Sequence, residues 1–184
     1  MEELYVSSDV RERLLLAGIA ELEENGIKGF SLRKAALSAQ VSCAAPYRHF
    51  KDKEEFIVEI IKYIASKWEL MCAQITSVFC DDVRRLVIEL AVANLRFWLS
   101  NPKFRSVLML ILESDNNENS HFDLFDTSLL SAIEDYAEKC GGGVNSEMKK
   151  YTVKALIYGS LMSKNDAPVV DFFRQKMEEE FPQI

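Results

Sequence analysis

Basic side chains are concentrated in one short segment of an otherwise acidic chain. The 184 residues carry 22 Lys and Arg against 29 Asp and Glu, a net charge of -7. Residues 26–53 nevertheless hold six basic residues and one acid, a net charge of +5. The basic residues are Lys28, Arg33, Lys34, Arg48, Lys51 and Lys53. Such a cluster can bind a polyanion, although ordinary solvated surfaces also carry such charges.

An amphipathic helix is predicted over residues 8–25, ahead of all six of these basic side chains. Its apolar residues recur at steps of three and four, which places them on one helical face. Ser8 is the predicted N-cap. Gly26 is the predicted stop, since glycine readily adopts the conformation that ends helices. This helix is expected to support the short helices that follow it.

Two short helices are predicted next, joined by a turn of about four residues. Ser31 is the predicted cap of the second helix, which ends near Gln40. The third helix follows Ser42 and ends near Phe50. Pro46 is compatible with it because the first-turn N–H groups of a helix lack intrahelical partners. The arrangement predicts a helix-turn-helix, whose last helix lies in the major groove of duplex DNA.

The third helix supplies most of the predicted DNA contacts. Its first residues would lie nearest the bases, and Arg48 could reach a guanine edge or a phosphate. Tyr47 and His49 have polar tips suited to phosphate oxygens, although packing for Tyr47 and a surface or capping role for His49 stay open. Helix N-termini near Ser31 and Lys53 favour phosphate as well. The predicted DNA-binding residues are Ser31, Arg33, Ser42, Cys43, Ala44, Ala45, Tyr47, Arg48, His49, Lys51 and Lys53.

The remainder of the chain is also predicted to be helical. Asp52, with Glu55 three residues later, predicts the cap of a long fourth helix that runs to about Phe79. Five more helices are predicted at about 81–100, 102–114, 121–140, 146–164 and 168–181. The sequence therefore predicts an all-α fold of about nine helices. It comprises an N-terminal three-helix helix-turn-helix domain at residues 1–52 and a C-terminal helical bundle at residues 53–184.

Several short motifs between Arg11 and Ile57 fit one known family of DNA-binding domains. They are Gly26, Phe30-Ser31, Val41-Ser42, Tyr47-x-His49-Phe50 and Lys53-Glu54-Glu55-Phe56. Together they resemble the DNA-binding domain of the tetracycline-repressor (TetR) family. The resemblance implies that Tyr47, His49 and Lys53 contact the DNA backbone and that Phe50 packs inside. Gln40 stands where that family usually has glycine.

The resemblance also implies what the C-terminal bundle does. It implies a ligand-responsive, homodimeric repressor that binds a near-palindromic operator, with dimerisation and effector binding in the bundle. The late helices at 146–163 and 168–180 are the predicted dimer interface, with Val153, Ile157, Gly159 and Phe173 among its residues. An apolar or amphipathic effector would contact a pocket. The predicted pocket residues are Phe97, Trp98, Phe104, Met109, Phe122, Phe125, Tyr136, Tyr158 and Met162.

Other classes of protein receive less support from the residues. We expect no enzyme, metal or cofactor, because no nucleophile–base pair or ligand cluster is evident. His121, Asp123 and Asp126 are spaced poorly for one helical face. The longest apolar run, 107–112, is too short to cross a membrane, so a cytoplasmic protein is expected, with its cysteines as reduced thiols. A helical adaptor that has lost DNA binding is the alternative function.

Overall fold

The described part of the protein is entirely helical. A computed structural model describes residues 2–114, 123–141, 143–162 and 166–183, and within these ranges it contains nine α-helices and no strand. The helices are α1 (Glu2–Gly29), α2 (Leu32–Ser38), α3 (Pro46–His49), α4 (Lys53–Phe79), α5 (Val83–Ser100), α6 (Pro102–Ser114), α7 (Asp123–Lys139), α8 (Ser146–Leu161) and α9 (Asp166–Glu180). The predicted all-α fold is therefore confirmed. Within these ranges, no helix combines the length and the apolar character that a membrane span requires.

The chain divides into two compact units. The N-terminal unit comprises Met1–Ser66 and Pro102–His121, and the C-terminal unit comprises Lys67–Asn101 and Phe122–Ile184. Helix α4 is continuous along the chain, so its first half belongs to the N-terminal unit and its second half to the C-terminal unit. The functional division after residue 52, drawn from the motif, stays a prediction.

Helix α1 supplies much of the core of the N-terminal unit. Its buried apolar residues include Leu14, Leu15, Ile19 and Leu22. Gly26 has φ 64° and ψ 178°, which interrupts the helical geometry before the helix resumes as far as Gly29. The predicted stop at Gly26 is thus confirmed. The predicted N-cap at Ser8 is wrong, because the helix begins at Glu2 and Ser8 lies within it.

The predicted cap of α4 is present. Asp52 Oδ1 accepts a hydrogen bond from the Glu55 backbone N–H at 2.8 Å, and the Glu55 carboxylate accepts one from the Lys51 N–H. The two side chains thereby satisfy backbone donors at the start of the helix, as a capping box does. The predicted end of α4 near Phe79 is also confirmed.

The ends of the late helices differ from their predicted positions by a few residues. Helix α8 is capped by Asn145, whose Oδ1 accepts the Met148 N–H at 3.0 Å, but it ends at Leu161 rather than near 164. Helix α9 begins at Asp166, before Pro168. Proline is accommodated there because no N–H in the first helical turn needs an intrahelical partner. The predicted start of α7 at residue 121 lies outside the described residues.

Helix α5 is the centre of the C-terminal unit and packs against α7, α8 and α9. Its fully or almost fully buried residues include Val87, Leu90, Ala91, Val92 and Leu95. Glu89 of α5 forms a two-hydrogen-bond ion pair with Arg174 of α9, both bonds at 2.8 Å. Burial along α5 and this paired contact fix the position of α9 within the unit.

Candidate nucleic-acid interface

Helix α2 and the turn after it are fixed by local hydrogen bonds. Ser31 is the N-cap, and its side chain accepts a hydrogen bond from the Lys34 N–H at 3.4 Å. At the other end, the Val41 N–H donates to the Ala36 carbonyl at 3.0 Å. Gln40 adopts φ 56°, the left-handed conformation that favours glycine. The turn therefore forms without the glycine that the resembling family usually has, at a cost in backbone strain.

The third helix is shorter than predicted. Helix α3 begins at Pro46 and ends at His49, whereas the sequence predicted a start just after Ser42. Residues 43–45 instead form a turn in which the Ala45 N–H donates to the Ser42 carbonyl at 2.9 Å. Proline at N1 fixes the first helical dihedral angle and lacks an N–H, so the helix begins naturally there. The small side chains of residues 43–45 accordingly lie on a turn ahead of the helix.

Buried aromatic rings anchor α3 to the rest of the N-terminal unit. Phe50, its C-cap residue, is 2% exposed, as the family resemblance implied. Its ring lies 4.2 Å from the Phe56 ring in an edge-to-face arrangement, and Phe30 lies 5.4 Å from Phe56 on centroid distances. Such pairs contribute about 0.5–1.5 kcal/mol beyond the burial of their area. The three rings thus fix α3 against the start of α4.

Most of the predicted DNA-binding side chains lie at the surface. Tyr47 is 64% exposed, although tyrosine usually buries part of its ring. The other exposed members of the set are Arg33, Ser42, Cys43, Ala44, Arg48 and Lys51, and the partly exposed members are Ser31, Ala45, His49 and Lys53. An exposed aromatic ring and several cations on one short stretch form a surface suited to phosphate oxygens.

The basic residues differ in how far their charges are already satisfied. Lys34 Nζ lies 3.8 Å from the carboxylate of buried Glu21. Lys53 Nζ donates to the Lys28 carbonyl at 3.3 Å. The remaining cations of the set have no hydrogen-bonding or ion-pair partner among the described residues; they are those of Lys28, Arg33, Arg48 and Lys51. These four cations are therefore more available for an external anion than Lys34 and Lys53.

Two basic side chains on α1 position this surface, and the sequence analysis did not single them out. Arg13 donates to the carbonyls of Ala39 and, at 3.4 Å, of Gln40, so it holds the end of α2 and the strained turn. Arg11 pairs with Glu59 of α4, and its guanidinium lies 5.7 Å from the centre of the Phe50 ring.

Two polar contacts hold the first half of α4 against α1. The Tyr63 hydroxyl donates to Glu12 Oε1 at 2.8 Å, and Glu59 pairs with Arg11. A hydrogen bond from Lys62 is the largest cause that lowers the pKa of Glu59, and the charge of Arg11 adds to it. Glu59 therefore stays ionised at neutral pH, and its contribution to stability is lost as the pH falls through that lowered pKa.

Gly18 permits α1 and α4 to approach closely. A Cβ at this position would lie 2.3 Å from Phe56 Cε1 and 2.8 Å from Ile60 Cδ1. Glycine within a helix costs about 1 kcal/mol relative to alanine, so a packing reason for it is expected. The residue below Gly18 is Phe56, which in turn holds Phe50 and α3. This packing role was also missed from the sequence.

The predicted pocket residues do not line one cavity, although the Trp98 ring lies 5.0 Å from the ring of Phe97 and 5.1 Å from that of Phe125 on centroid distances. Phe97 lines a groove between α4 and α5, whereas Trp98, Phe125 and Tyr158 line a separate small cavity in the C-terminal unit. Tyr136 is buried, and its hydroxyl donates to the Pro182 carbonyl at 2.9 Å.

The other predicted pocket residues lie elsewhere. Phe104 and Met109 belong to the N-terminal unit, and Met162 is 66% exposed. Phe122 lies outside the described residues. In the part of the chain that the structure describes, three or more His, Cys, Asp or Glu side chains never come together as a metal ion would require.

Comparison with known families decides the identity of the N-terminal region. Residues 14–60 match a family model described as bacterial regulatory proteins of the tetR family. The match covers about a quarter of the chain, and it identifies α2, the turn and α3 as a helix-turn-helix of the tetR type. The protein is thus a DNA-binding transcriptional regulator. The matched residues include the anchor rings and all the predicted DNA-binding residues.

Solved structures of transcriptional regulators share the fold over nearly the whole chain. The transcriptional regulator FadR from Bacillus subtilis, solved in complex with stearoyl-CoA, is 15% identical with a TM-score of 0.74. It covers 94% of this chain, and 98% of FadR is covered. PfmR, a TetR-family regulator from Thermus thermophilus, is 20% identical with a TM-score of 0.70, over 95% of this chain and 96% of PfmR.

A third solved structure supports the same conclusion about the fold. A transcriptional regulator of the TerR/AcrR family from Aquifex aeolicus is 24% identical, with a TM-score of 0.65. It covers 92% of this chain, and 96% of that regulator is covered. Comparison with curated protein sequences gives no significant match. The tetR match accordingly concerns the N-terminal region, and the structures show that the fold they share with this chain extends through the C-terminal unit.

Proposed function

We propose that this regulator acts as a cytoplasmic homodimer that represses transcription by binding a near-palindromic operator and is released by a small effector. The observation that carries the DNA-binding surface is the exposure of Tyr47, Arg48 and Lys51 on and beside α3. Two copies of α3 in a twofold dimer would contact two half-sites, one in each half of the operator. No catalytic step is part of this proposal.

An exposed apolar stripe on α8 supports the dimer. Met148, Tyr151 and Met162 are 61%, 72% and 66% exposed, and Ala155 and Gly159 are exposed between them. Steps of three and four residues place all five on one helical face. Contiguous exposed apolar surface is characteristic of protein–protein contacts.

The stripe differs from the predicted interface, because Val153, Ile157 and Phe173 are buried inside the subunit. A second copy of the chain is the proposed occupant of the stripe. Ala155→Glu should convert the dimer to monomers in analytical ultracentrifugation, since a charge would be buried without a partner. The side chain at this position is exposed, so the subunit should keep its helix content. A variant that stays dimeric would place the interface elsewhere.

The fold of the C-terminal unit supports the proposed effector response. FadR, which has this fold, is described in complex with stearoyl-CoA, and a groove in the C-terminal unit here is large enough for a small molecule. To release DNA, an effector must prefer the DNA-incompetent state by a few kcal/mol. Helix α4 is the proposed lever because it is one continuous helix from Lys53 to Phe79.

Selection from a random duplex pool tests the DNA-binding proposal. The purified protein should enrich fragments with an inverted repeat, and a gel-shift assay should then show binding of the enriched duplex. Tyr47→Phe combined with Lys53→Ala should weaken that binding at least tenfold, because both side chains are proposed phosphate contacts. Lys139→Ala, in the acidic C-terminal unit, is the control. Unchanged affinity in the double variant would disprove the assignment of these contacts.

A further inference from the structure

A groove of about 350 Å³ lies between the second half of α4 and α5, wholly within the C-terminal unit. This volume is within the range of roughly 300–1,000 Å³ that is typical of small-molecule sites. Its apolar lining consists of Met71, Ile75, Phe79, Val92, Ala93 and Phe97, and its polar lining consists of Glu89, Arg96, Ser100 and Asn101. The groove therefore combines an apolar body with a few polar groups, the composition of a site for an amphiphile.

The lining residues give the groove an extended apolar face along α4. Met71, Ile75 and Phe79 follow one another at four-residue steps, so they lie along one face of α4. At a rise of 1.5 Å per residue, this face extends for about 12 Å. Glu89, Ala93 and Arg96 line the opposite wall at similar steps along α5. An apolar face of this length suits an extended hydrocarbon chain.

The charges at the groove favour an anion. Glu89 is already neutralised by Arg174, which donates two hydrogen bonds to its two carboxylate oxygens at 2.8 Å. These hydrogen bonds are the largest cause that lowers the pKa of Glu89, and the charges of Arg85 and Arg96 lower it further. The carboxylates of Glu178 and Asp171 also act on Arg174. Among the lining residues themselves, Glu89 is already paired, so the charge left to meet a ligand is that of Arg96.

Arg96 is the member of this group that is available to a ligand. Arg174 is engaged with Glu89, and the Arg85 guanidinium lies 4.7 Å from the centre of the Phe79 ring. Arg96 is exposed, lines the groove, and has no ion pair among the described residues. Ser100 is one helical turn further along the same wall. A guanidinium with a neighbouring hydroxyl suits a carboxylate, which can accept two hydrogen bonds from arginine.

We propose that this groove binds an amphiphile with an unbranched hydrocarbon body and one carboxylate, and that Arg96 and Ser100 hold the carboxylate. The hydrocarbon contacts the α4 face of Met71, Ile75 and Phe79, so the ligand touches the helix that continues into the DNA-binding unit. The effect of the ligand on DNA rests on the proposed function. Binding of the ligand does not, and it is measured separately.

The test compares three probes that share a twelve-carbon chain and differ in head-group charge: dodecanoate, dodecanol and dodecyltrimethylammonium. Each is titrated below its micelle concentration into the full chain by isothermal calorimetry. Tryptophan fluorescence provides a second signal, because the Trp68 ring lies 5.6 Å from the ring of Phe97 in the groove lining. Dodecanoate should bind once per subunit and at least tenfold more tightly than dodecanol, and dodecyltrimethylammonium should bind most weakly.

Two variants locate the site. Arg96→Gln should remove the preference for dodecanoate over dodecanol and leave dodecanol binding unchanged, whereas Arg105→Gln, a control outside the groove, should keep the preference. Ala93→Phe should fill the groove and abolish binding of all three probes, and Ala93→Ser should not. Equal binding of dodecanoate and dodecanol to the wild type, or an unchanged preference in Arg96→Gln, would overturn the proposal. If Ala93→Phe does not fold, Arg96→Gln still decides.

The same preparations separate this inference from the proposed function. If none of the probes binds while the selected duplex is still bound, the groove proposal fails alone. If the wild type binds no duplex, the proposed function fails whatever the probes do. If dodecanoate binds as expected, its addition should lower the affinity for the duplex in the wild type but not in Arg96→Gln. Equal DNA affinity with and without bound dodecanoate would contradict the role of the groove in regulation.

Discussion

The N-terminal and C-terminal units differ in how tightly their function constrains their residues. The N-terminal unit contains a motif that matches a family model over residues 14–60, whereas the C-terminal unit is recognised only through a fold shared at 15–24% identity. Every regulator of this kind meets the same phosphate backbone, so the same residue types recur at the same spacing. A ligand groove only has to be apolar and of the right size, which many sequences satisfy.

Removal of a buried ring should have the largest effect, and its consequences should differ between the units. Phe50→Ala and Phe125→Ala each remove a ring that is 2% exposed, and each should lower the free energy of unfolding by about 3–5 kcal/mol. Urea unfolding measures both. Only Phe50→Ala should also abolish DNA binding under conditions where both variants remain folded, because Phe50 anchors α3.

The absence of that difference in DNA binding would contradict the comparison between the two units. If Phe125→Ala abolished DNA binding as completely as Phe50→Ala, while circular dichroism showed both to be folded, the DNA-binding surface would depend on the core of the C-terminal unit. The N-terminal unit would then not be an independent determinant of DNA binding.

The two units should differ in how readily their cysteines react with a thiol reagent. Cys43 is exposed in the turn before α3, whereas Cys72 is buried in the C-terminal unit. Burial raises the pKa of the Cys72 thiol from 9.0 to about 12. Between pH 7 and 9 its thiolate population is therefore roughly a thousandfold lower than that of an exposed cysteine with an ordinary pKa. Mass spectrometry after treatment with N-ethylmaleimide should find Cys43 modified and Cys72 intact in the folded protein.

Modification at Cys43 should also impair DNA binding, because the adduct would occupy the turn that is proposed to face the DNA. Cys43→Ser is the matched control, and its DNA binding should be insensitive to the reagent. Rapid modification of Cys72 at pH 7 in the folded protein would show that the core of the C-terminal unit is open to solvent.

Gly18 provides a smaller test of the close packing that supports α3. Gly18→Ala should destabilise the protein by about 1–3 kcal/mol, because the new Cβ would overlap Phe56 and Ile60. Leu16→Ala, at an exposed position of the same helix, should change stability by less than about 0.5 kcal/mol. Thermal unfolding measures both. Equal stability of Gly18→Ala and the wild type would mean that α1 and α4 are not so closely packed.

The left-handed residues should give the smallest effect, with opposite signs in the two units. Gln40 has φ 56° and Gly141 has φ 67°. Gln40→Gly should raise the free energy of unfolding by up to about 1 kcal/mol as it relieves strain, and Gly141→Ala should lower it by about 1 kcal/mol. Denaturant unfolding checks both. A destabilising Gln40→Gly would show that the glutamine side chain stabilises the turn by more than its backbone strain costs.

The sequence predicted the fold better than it predicted the binding surfaces. Periodicity and capping residues such as Ser31 and Asp52 are local signals, so the helices and most of their ends could be predicted. The residues of a ligand pocket could not be predicted in this way, because aromatic residues at helical spacing fit a core as well as a cavity. Phe97 and Tyr136 have the same residue class, yet only the tertiary packing places Phe97 in the groove.

The positioning residues could not be identified from the sequence for a different physical reason. Arg13 acts on the carbonyl of Gln40 from another helix, with 27 residues of sequence separation. Glu59 pairs with Arg11 over 48 residues. Such contacts depend on how helices cross, which the sequence pattern of either helix alone does not contain. The same is true of Gly18, whose role depends on the ring of Phe56 opposite it.

The salt dependence of DNA binding tests the central claim most directly. For a duplex selected by the wild type, the logarithm of the affinity should fall linearly with the logarithm of salt concentration. Arg48→Gln combined with Lys51→Gln should reduce that slope by about 0.9 for each phosphate contact removed, whereas Lys139→Gln combined with Lys176→Gln in the C-terminal unit should leave it unchanged. Equal slopes for the wild type and the Arg48 and Lys51 double variant would contradict the account, since the basic surface around α3 would then not be what holds the DNA.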